Sequence, residues 1–296
     1  MQLKTAQDFD QELLILFDAY VHGTIDRRGF LERAQKFAVG GMTAGMLLTA
    51  LSPDFARAQV VPKDDKRIKT EVLEYPSTAG SGTVKGYLAK PANMTGTLPV
   101  VLVVHENRGL NPHIEDIARR LALDNFVAFA PDALTPLGGY PGDEDKAREQ
   151  FAKLDQKKTT EDFVAAANFL KNRPESNGKI GAVGFCFGGG VVHMLSVRMP
   201  ELNAGVPFYG NLPAATDAVK VKAPLQIHFA GVDERINAAW PAYEAALKAA
   251  NARYTAYQYA GTQHGFNNDT TPRFDSAAAK LAWERTIDFF NKNLRT

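Results

Sequence analysis

The chain has 296 residues, of which 45% are hydrophobic and 23% charged, with a formal net charge of +1. That length supports one large core or two small ones, and the near-neutral balance gives no electrostatic case for nucleic acid. A single cysteine excludes an intramolecular disulfide, and no Cys/His grouping has zinc spacing, so the thiol is free for packing or reactivity.

Composition changes sharply near Gln59, which separates a segment over residues 1–60 from a main domain over 61–296. In the first segment, "FDQELLILFDAYV" places Phe9, Leu13, Phe17, Tyr20 and Val21 on one face of an amphipathic helix. Next come Arg27-Arg28, then Gly29-Phe30-Leu31, then the uncharged stretch Phe37 to Leu51, then Ala56-Arg57-Ala58. This order resembles a twin-arginine export signal with a cleavage site before Gln59. The apolar stretch of 15 residues is shorter than the ~20 a bilayer-spanning helix needs. Against export stand five acidic residues ahead of Arg27 (Asp8, Asp10, Glu12, Asp18 and Asp26), with Lys4 the lone lysine there. The other reading is a retained helical arm packing on the main domain or on a second subunit, as in a homodimer. The first reading implies a periplasmic protein and the second a cytoplasmic one.

From about Ile68, strands and helices alternate. "IKTEVLEYP" and "TVKGYLAKP" read as an antiparallel hairpin across "STAGSG". "LPVVLVVHE" is a continuous apolar run, expected of a strand buried on both faces. A helix over 112–124, the strand "NFVAFAPD", one or two helices over 143–171 and the strand "KIGAVGF" follow. Then come a helix over 188–199, the strands "NAGVPFYG" and "APLQIHFAG", a helix over 238–251, the strand "RYTAYQYAG" and a helix over 272–294. The pattern predicts an α/β fold, a mostly parallel sheet flanked by helices, with ligand sites at the carboxyl ends of its strands.

Gly184-Phe185-Cys186-Phe187-Gly188 fits G-x-S-x-G with cysteine at the nucleophile position, where a strand meets a helix. Glycines two residues to either side clear the space that the sharp turn requires. The Phe187 N–H then becomes one oxyanion donor, and the helix N-terminus favours a thiolate. Asp233 follows the strand "PLQIHFAG" and His264 follows "YTAYQYAG", the chain order of an α/β-hydrolase triad. His264 is thus the candidate base and Asp233 its orienting acid, with Glu234 a rival. Of the other histidines, His228 and His193 read as packed and hydrogen-bonded, and His113 and His22 carry no assigned role. His105 ends a strand beside the site, also without a role.

Taken together, "GFCFGGG", "VDERI", "QHGF" and "VVHENRGL" resemble the dienelactone hydrolase family, an α/β-hydrolase branch with a cysteine nucleophile. The resemblance covers the chain from about Ile68 onward. It implies that Glu106 contacts the thiol and keeps it protonated until substrate binds, since a nearby carboxylate raises a thiol pKa. The Asn107 N–H is the expected second oxyanion donor. One departure concerns the family's carboxylate-clamping arginine shortly after the catalytic histidine: this chain reads "HGFNND", with Asn267 and Asn268. Arg108, Arg235, Tyr140 and Tyr209 remain candidate substrate-binding residues. The expected activity is hydrolysis of a small ester or lactone through a thioester at Cys186, with no metal or organic cofactor, no nucleic-acid partner and no stable membrane span. The alternatives are a carboxylesterase or thioesterase of other preference, or a non-catalytic or redox-sensing cysteine protein on the same fold.

Overall fold

The computed structural model describes residues 4–56 and 58–295. Three short helices lead: α1 (Gln11–Val21), α2 (Arg27–Ala34) and α3 (Ala44–Leu51). The hairpin β1 (Ile68–Ser77) and β2 (Gly82–Pro91) follows, then β3 (Leu98–Val104), α4 (Pro112–Leu123) and β4 (Val127–Pro131). Helices α5 (Glu144–Phe151) and α6 (Gln156–Lys171) resolve the 143–171 region into a pair. Next are β5 (Ser176–Phe185), α7 (Phe187–Arg198), β6 (Ala204–Phe208) and β7 (Leu225–Val232). The chain continues through α8 (Glu234–Asn237), α9 (Trp240–Ala249), β8 (Tyr254–Gln263) and α10 (Ser276–Leu294).

The strands form one eight-stranded sheet in the order β1-β2-β4-β3-β5-β6-β7-β8. β1 pairs antiparallel with β2 and β2 with β4, while every later neighbour is parallel. Successive residues of β3 explain its unbroken apolar run. Val101 and Val103 face α4 and α10, through Ile114, Ile117, Leu121, Phe290 and Leu294. Val100, Leu102 and Val104 face α6 and α7, through Phe163, Leu170, Val192 and Leu195. Both faces are covered, so no polar alternation survives in the sequence. From β3 the chain goes to β4 on one side and to β5 on the other. That reversal opens a crevice at the carboxyl ends of β3 and β5, the place where such sheets bind ligands.

The predicted amphipathic helix is α1, with Asp10 capping it through the Glu12 N–H at 2.8 Å. Leu13, Phe17 and Tyr20 are buried, joined by Leu14, while Phe9 and Val21 pack partly against them. Phe30 of α2 is fully buried, its ring centroid 6.1 Å from that of Phe17 and 5.5 Å from that of Tyr20. Leu47, Leu48 and Leu51 of α3 complete this separate apolar cluster. The uncharged stretch 37–51 is not one helix: Gly40 and Gly41 adopt φ of 63° and 85°, and only Ala44–Leu51 is helical. No helix among the described residues is long and apolar enough to cross a membrane. Of the tripeptide Ala56-Arg57-Ala58, Arg57 lies outside the described residues.

Phe30 is the residue on which the three-helix cluster depends. Phe30→Ala is expected to cost about 3–5 kcal/mol of local stability. Hydrogen exchange checks it: amides of α1–α3 should exchange much faster while those of β3 and β5 keep wild-type protection.

Candidate active site

β5 ends at Phe185 and α7 begins at Phe187, so Cys186 alone makes the turn, with φ 55° and ψ −113°. A non-glycine residue at positive φ is strained, and the strain persists only where the surroundings impose it. Here they do. A Cβ at Gly184 would lie 2.2 Å from the Gly188 carbonyl oxygen, and one at Gly188 would lie 2.2 Å from the Val104 carbonyl oxygen. The Cys186 N–H is fixed by the Phe208 carbonyl at 3.0 Å. Cys186 is only 8% exposed and its side chain belongs to the rim of the main core.

Asp233, just past β7, accepts a hydrogen bond from His264 Nδ1, just past β8, at 2.6 Å. Both side chains are buried, whereas Glu234 is exposed. With Nδ1 committed to a carboxylate, the other nitrogen, Nε2, is buried and lacks a hydrogen-bond partner. A ligand atom of His264 lies within 4.8 Å of Cys186 Sγ. The structure therefore brings Cys186, His264 and Asp233 together in the predicted order.

Glu106 and Asn107 follow β3 on the same rim. The Glu106 carboxylate accepts from Asn268 Nδ2 at 2.8 Å, and the Asn107 side-chain amide donates to the Val21 carbonyl at 2.9 Å. His105 lies beneath them: its Nε2 accepts the Ala133 N–H at 3.1 Å and its ring stacks on Phe187. Tyr209 is fully buried with its ring centroid 4.9 Å from that of His264. Tyr140 donates its hydroxyl to Glu144 at 2.9 Å. His228 is hydrogen-bonded to Gln226 and Tyr259, as expected of a packed histidine. His193 departs from that expectation. Both its ring nitrogens lack partners, it packs on Tyr243, and burial pushes its pKa down to about 3.

The largest departure comes from the N-terminal helices. The end of α1 sits over the crevice. His22, which the sequence reading left without a role, has Nε2 3.3 Å from Cys186 Sγ, its ring centroid 4.8 Å from that of His264. Its Nδ1 lies 2.9 Å from the Asp18 carbonyl oxygen and 3.2 Å from the Asp18 carboxylate. The Val21 carbonyl accepts from Arg108 Nη1 and Nη2 at 3.2 Å each. Arg273, largely buried, reaches Asp18 at 3.3 Å. Tyr20 and Arg27 both pair with Asp145. Arg235 is exposed, its Nη2 3.2 Å from His22 Nε2.

These neighbours reverse the expectation for the thiol. Burial raises the Cys186 pKa, but the charges of His22 and His264 outweigh it and carry the thiol down to about 6 from 9.0. Glu106, tied to Asn268, was expected to raise it. For His264 burial acts downward, and the Cys186 charge with the Asp233 hydrogen bond outweighs it, giving about 10. The His22 pKa is raised as well: burial acts downward and is outweighed by the Cys186 charge and the Asp18 hydrogen bond. Asp18 is held well below the carboxylate range; burial acts upward there, and His22, His264 and Arg273 overcome it.

Sequence reasoning missed His22, Asp18 and Arg273. Arg273 stands nine residues after His264, beyond the turns at 264–273 that fold it back toward Gly265. A cavity of about 630 Å³ opens beside the triad, between Leu14, Ile15 and Asp18 of α1 and Val232, His264 and Arg273. Among the described residues, His22, Cys186 and His264 are the one group with metal-ligating side chains in reach of each other.

Residues 84–294 match the model of the dienelactone hydrolase family, and residues 1–39 match one described as YqhI-like. A Salmonella typhi protein provisionally named carboxymethylenebutenolidase is 31% identical over 241 residues, covering 76% of this chain and 88% of its own. A provisional hydrolase fragment of Escherichia coli K12, YghX, is 53% identical over 114 residues, 38% of this chain and 97% of its own. A Klebsiella pneumoniae crystal structure, provisionally a dienelactone hydrolase, aligns with TM-score 0.66 at 26% identity over 76% of this chain and 99% of its own. The fold of a dienelactone hydrolase-like promiscuous phosphotriesterase from metagenomic libraries aligns with the same score at 22% identity, covering 77% of this chain and 99% of its own.

The Gly188 contact is with backbone that cannot yield. Gly188→Ala is expected to cost about 3 kcal/mol through overpacking and to lower Tm by at least roughly 6 °C. Thermal unfolding monitored by circular dichroism checks it.

Proposed function

Because the chain belongs to the dienelactone hydrolase family, an α/β-hydrolase fold with ester and lactone hydrolysis as its chemistry, we propose that Cys186, His264 and Asp233 form its catalytic triad. The single observation that carries this reading is the buried, unpartnered His264 Nε2 directed toward Cys186 while Nδ1 is locked to Asp233. Residues 1–60 act as an extension and 61–296 as the hydrolase domain.

The reaction proceeds in two halves. The Cys186 thiolate attacks the substrate carbonyl carbon, and the oxygen takes negative charge. The N–H of Phe187, in the first turn of α7 where no intrahelical acceptor exists, and the N–H of Asn107 hold that oxyanion. Protonated His264 gives its proton to the leaving oxygen as the C–O bond breaks, and a thioester remains on Cys186. Water then enters, loses a proton to His264 and attacks the thioester. The carbon–sulfur bond breaks, acid leaves and the thiolate returns. Asp233 keeps Nδ1 protonated, so that Nε2 faces the chemistry throughout. Glu106, hydrogen-bonded to Asn268, serves as a fixed carboxylate beside the site and not as the group that sets the resting thiol.

The substrate is a small ester or lactone, preferably one bearing a carboxylate. Arg273 supports that preference: it is a buried guanidinium beside His264, and the group it meets is itself a carboxylate, that of Asp18. Arg235 lines the same cavity, Arg108 is held by the Val21 carbonyl, and Tyr209 packs against the His264 ring. A guanidinium pairs with a carboxylate more strongly than with a neutral ester oxygen. The N-terminal arm stays with the working enzyme, since its polar groups are matched to those of the crevice.

Two outcomes follow. Cys186→Ala and His264→Ala should each lower hydrolysis by at least about 10³-fold, with Asp233→Asn losing on the order of 10²-fold or more. A panel of lactones, simple esters and thioesters, each with and without a neighbouring carboxylate, checks this; wild-type turnover by the variants on every substrate would end the triad reading. The intact mass of the protein from its native host should include Phe9 to Leu51. A mature chain starting at Gln59 would instead establish export.

A further inference from the structure

His22 is not part of the triad, yet it lies within hydrogen-bond reach of the sulfur. Its Nε2 lies 3.3 Å from Cys186 Sγ, within hydrogen-bond reach for sulfur, whereas His264 Nε2 has no hydrogen-bond partner. Its ring is fixed from behind. The Nδ1 side faces the Asp18 carbonyl at 2.9 Å and carboxylate at 3.2 Å, so that nitrogen carries the hydrogen and Nε2 is left for the sulfur. Asp18 is held in turn by Arg273 at 3.3 Å. Thus two imidazoles meet one thiol, and each is oriented through Nδ1 by its own aspartate.

We propose that His22, delivered by the N-terminal arm, is a catalytic residue that takes the proton of the Cys186 thiol and holds the resting enzyme in its thiolate form. This rests on the hydrolase reading above and adds a second imidazole to it. The step is balanced within the site: the Sγ–H bond breaks, an Nε2–H bond forms on His22, and the electron pair stays on sulfur. No oxidant or further reactant enters. His264 is then free to exchange protons with the leaving oxygen and with water, and nucleophile activation is divided from leaving-group chemistry.

The charged groups facing His22 decide whether its imidazolium can exist. Asp18 on its own helix favours it, as does the Cys186 thiolate at the start of α7. His264 after β8 and Arg235 of α8 oppose it when charged. Arg235 is exposed, so water screens its charge and its side chain has room to move away. His22 is also the C-cap of α1, where the helix dipole favours a cation. The balance supports the ion pair, in line with the raised His22 pKa and the lowered Cys186 pKa.

The test reads the thiol without any substrate, which separates it from the hydrolase reading. Iodoacetamide alkylation of Cys186 in the full-length protein is followed by intact mass across pH, for wild type, His22→Gln and Asp18→Asn. The wild-type rate should show a midpoint near 6. His22→Gln should move the midpoint up by about one pH unit or more, and Asp18→Asn should move it in the same direction by less. Uncovering the sulfur raises the plateau and, by relieving the burial that raises the thiol pKa, moves the midpoint down if at all, opposite in sign to the loss of an imidazole; a midpoint that stays or falls therefore counts against the proposal. If both variants keep the wild-type midpoint, and differ only by faster alkylation at every pH, His22 is a cover and the proposal is wrong. If His22→Gln fails to fold, Asp18→Asn decides by the same criterion, because it keeps the imidazole present. A shifted midpoint in a protein that hydrolyses no ester or lactone would sustain the His22 assignment and sink the hydrolase reading.

Discussion

Holding one residue at φ 55° between a parallel strand and a helix is the constraint around which the protein is arranged. Cys186 can occupy that position only because β5 and α7 approach too closely for any side chain at Gly184 or Gly188. The neighbouring carbonyls of Val104 and Phe208 fill the space, so β3 and β6 must lie where they do. Those strands are in turn fixed by helices on both faces, through two separate apolar clusters. A strained elbow is thus an outcome of core packing, and the stability of the sheet is what keeps the sulfur in its strained turn.

The second organising balance is electrostatic. A buried thiolate is costly, because taking an ion out of water costs several kcal/mol. Here the thiol pKa falls to about 6 in spite of that cost. Two imidazoles bring this about, and each imidazole needs a carboxylate behind it to hold the correct nitrogen forward. Asp233 comes from the hydrolase sheet and Asp18 from the arm. The site is therefore built from two parts of the chain more than 150 residues apart, joined by charge at one atom.

This division explains what the sequence made legible. Every strand from Ile68 onward announced itself by apolar runs or alternation, and Cys186, Asp233 and His264 stood at strand ends in the family's order. Local pattern sufficed there because each residue's position is set by the element that precedes it. Asp233 was preferred to Glu234 by one residue of distance from β7, and it is Asp233 that lies 2.6 Å from His264 Nδ1. The α1 face was also readable, since its burial follows helical period. What that face packs beside was not. His22 sits one residue past the helix, and nothing in spacing links it to a sulfur 164 residues away. Arg273 escaped for a related reason: a run of turns after His264 reverses the chain, and turns carry no periodic signal. The direction of the thiol shift was not legible because it depends on His22 as well as His264.

The arm's own sequence serves two demands that pull apart. Its apolar residues, Leu13, Phe17, Phe30 and Leu47, form a cluster that satisfies itself without the sheet. Its contacts with the crevice are instead polar and charged: a histidine for the sulfur, a carbonyl for Arg108, a carboxylate for Arg273 and Arg27 for Asp145. Polar contacts of this kind contribute individually about 0.5–3 kcal/mol net, far less than a shared hydrophobic core, and depend on good geometry. A segment built so can hold its own shape while its seating on the crevice stays adjustable, because separating it exposes groups that water can satisfy. The carbonyl and carboxylate it places against Arg108 and Arg273 are also the groups an ester bearing an acid would present. Arg108 and Arg273 are thus occupied from the arm's side, by a carbonyl and a carboxylate, on the same helix that carries His22 to the sulfur.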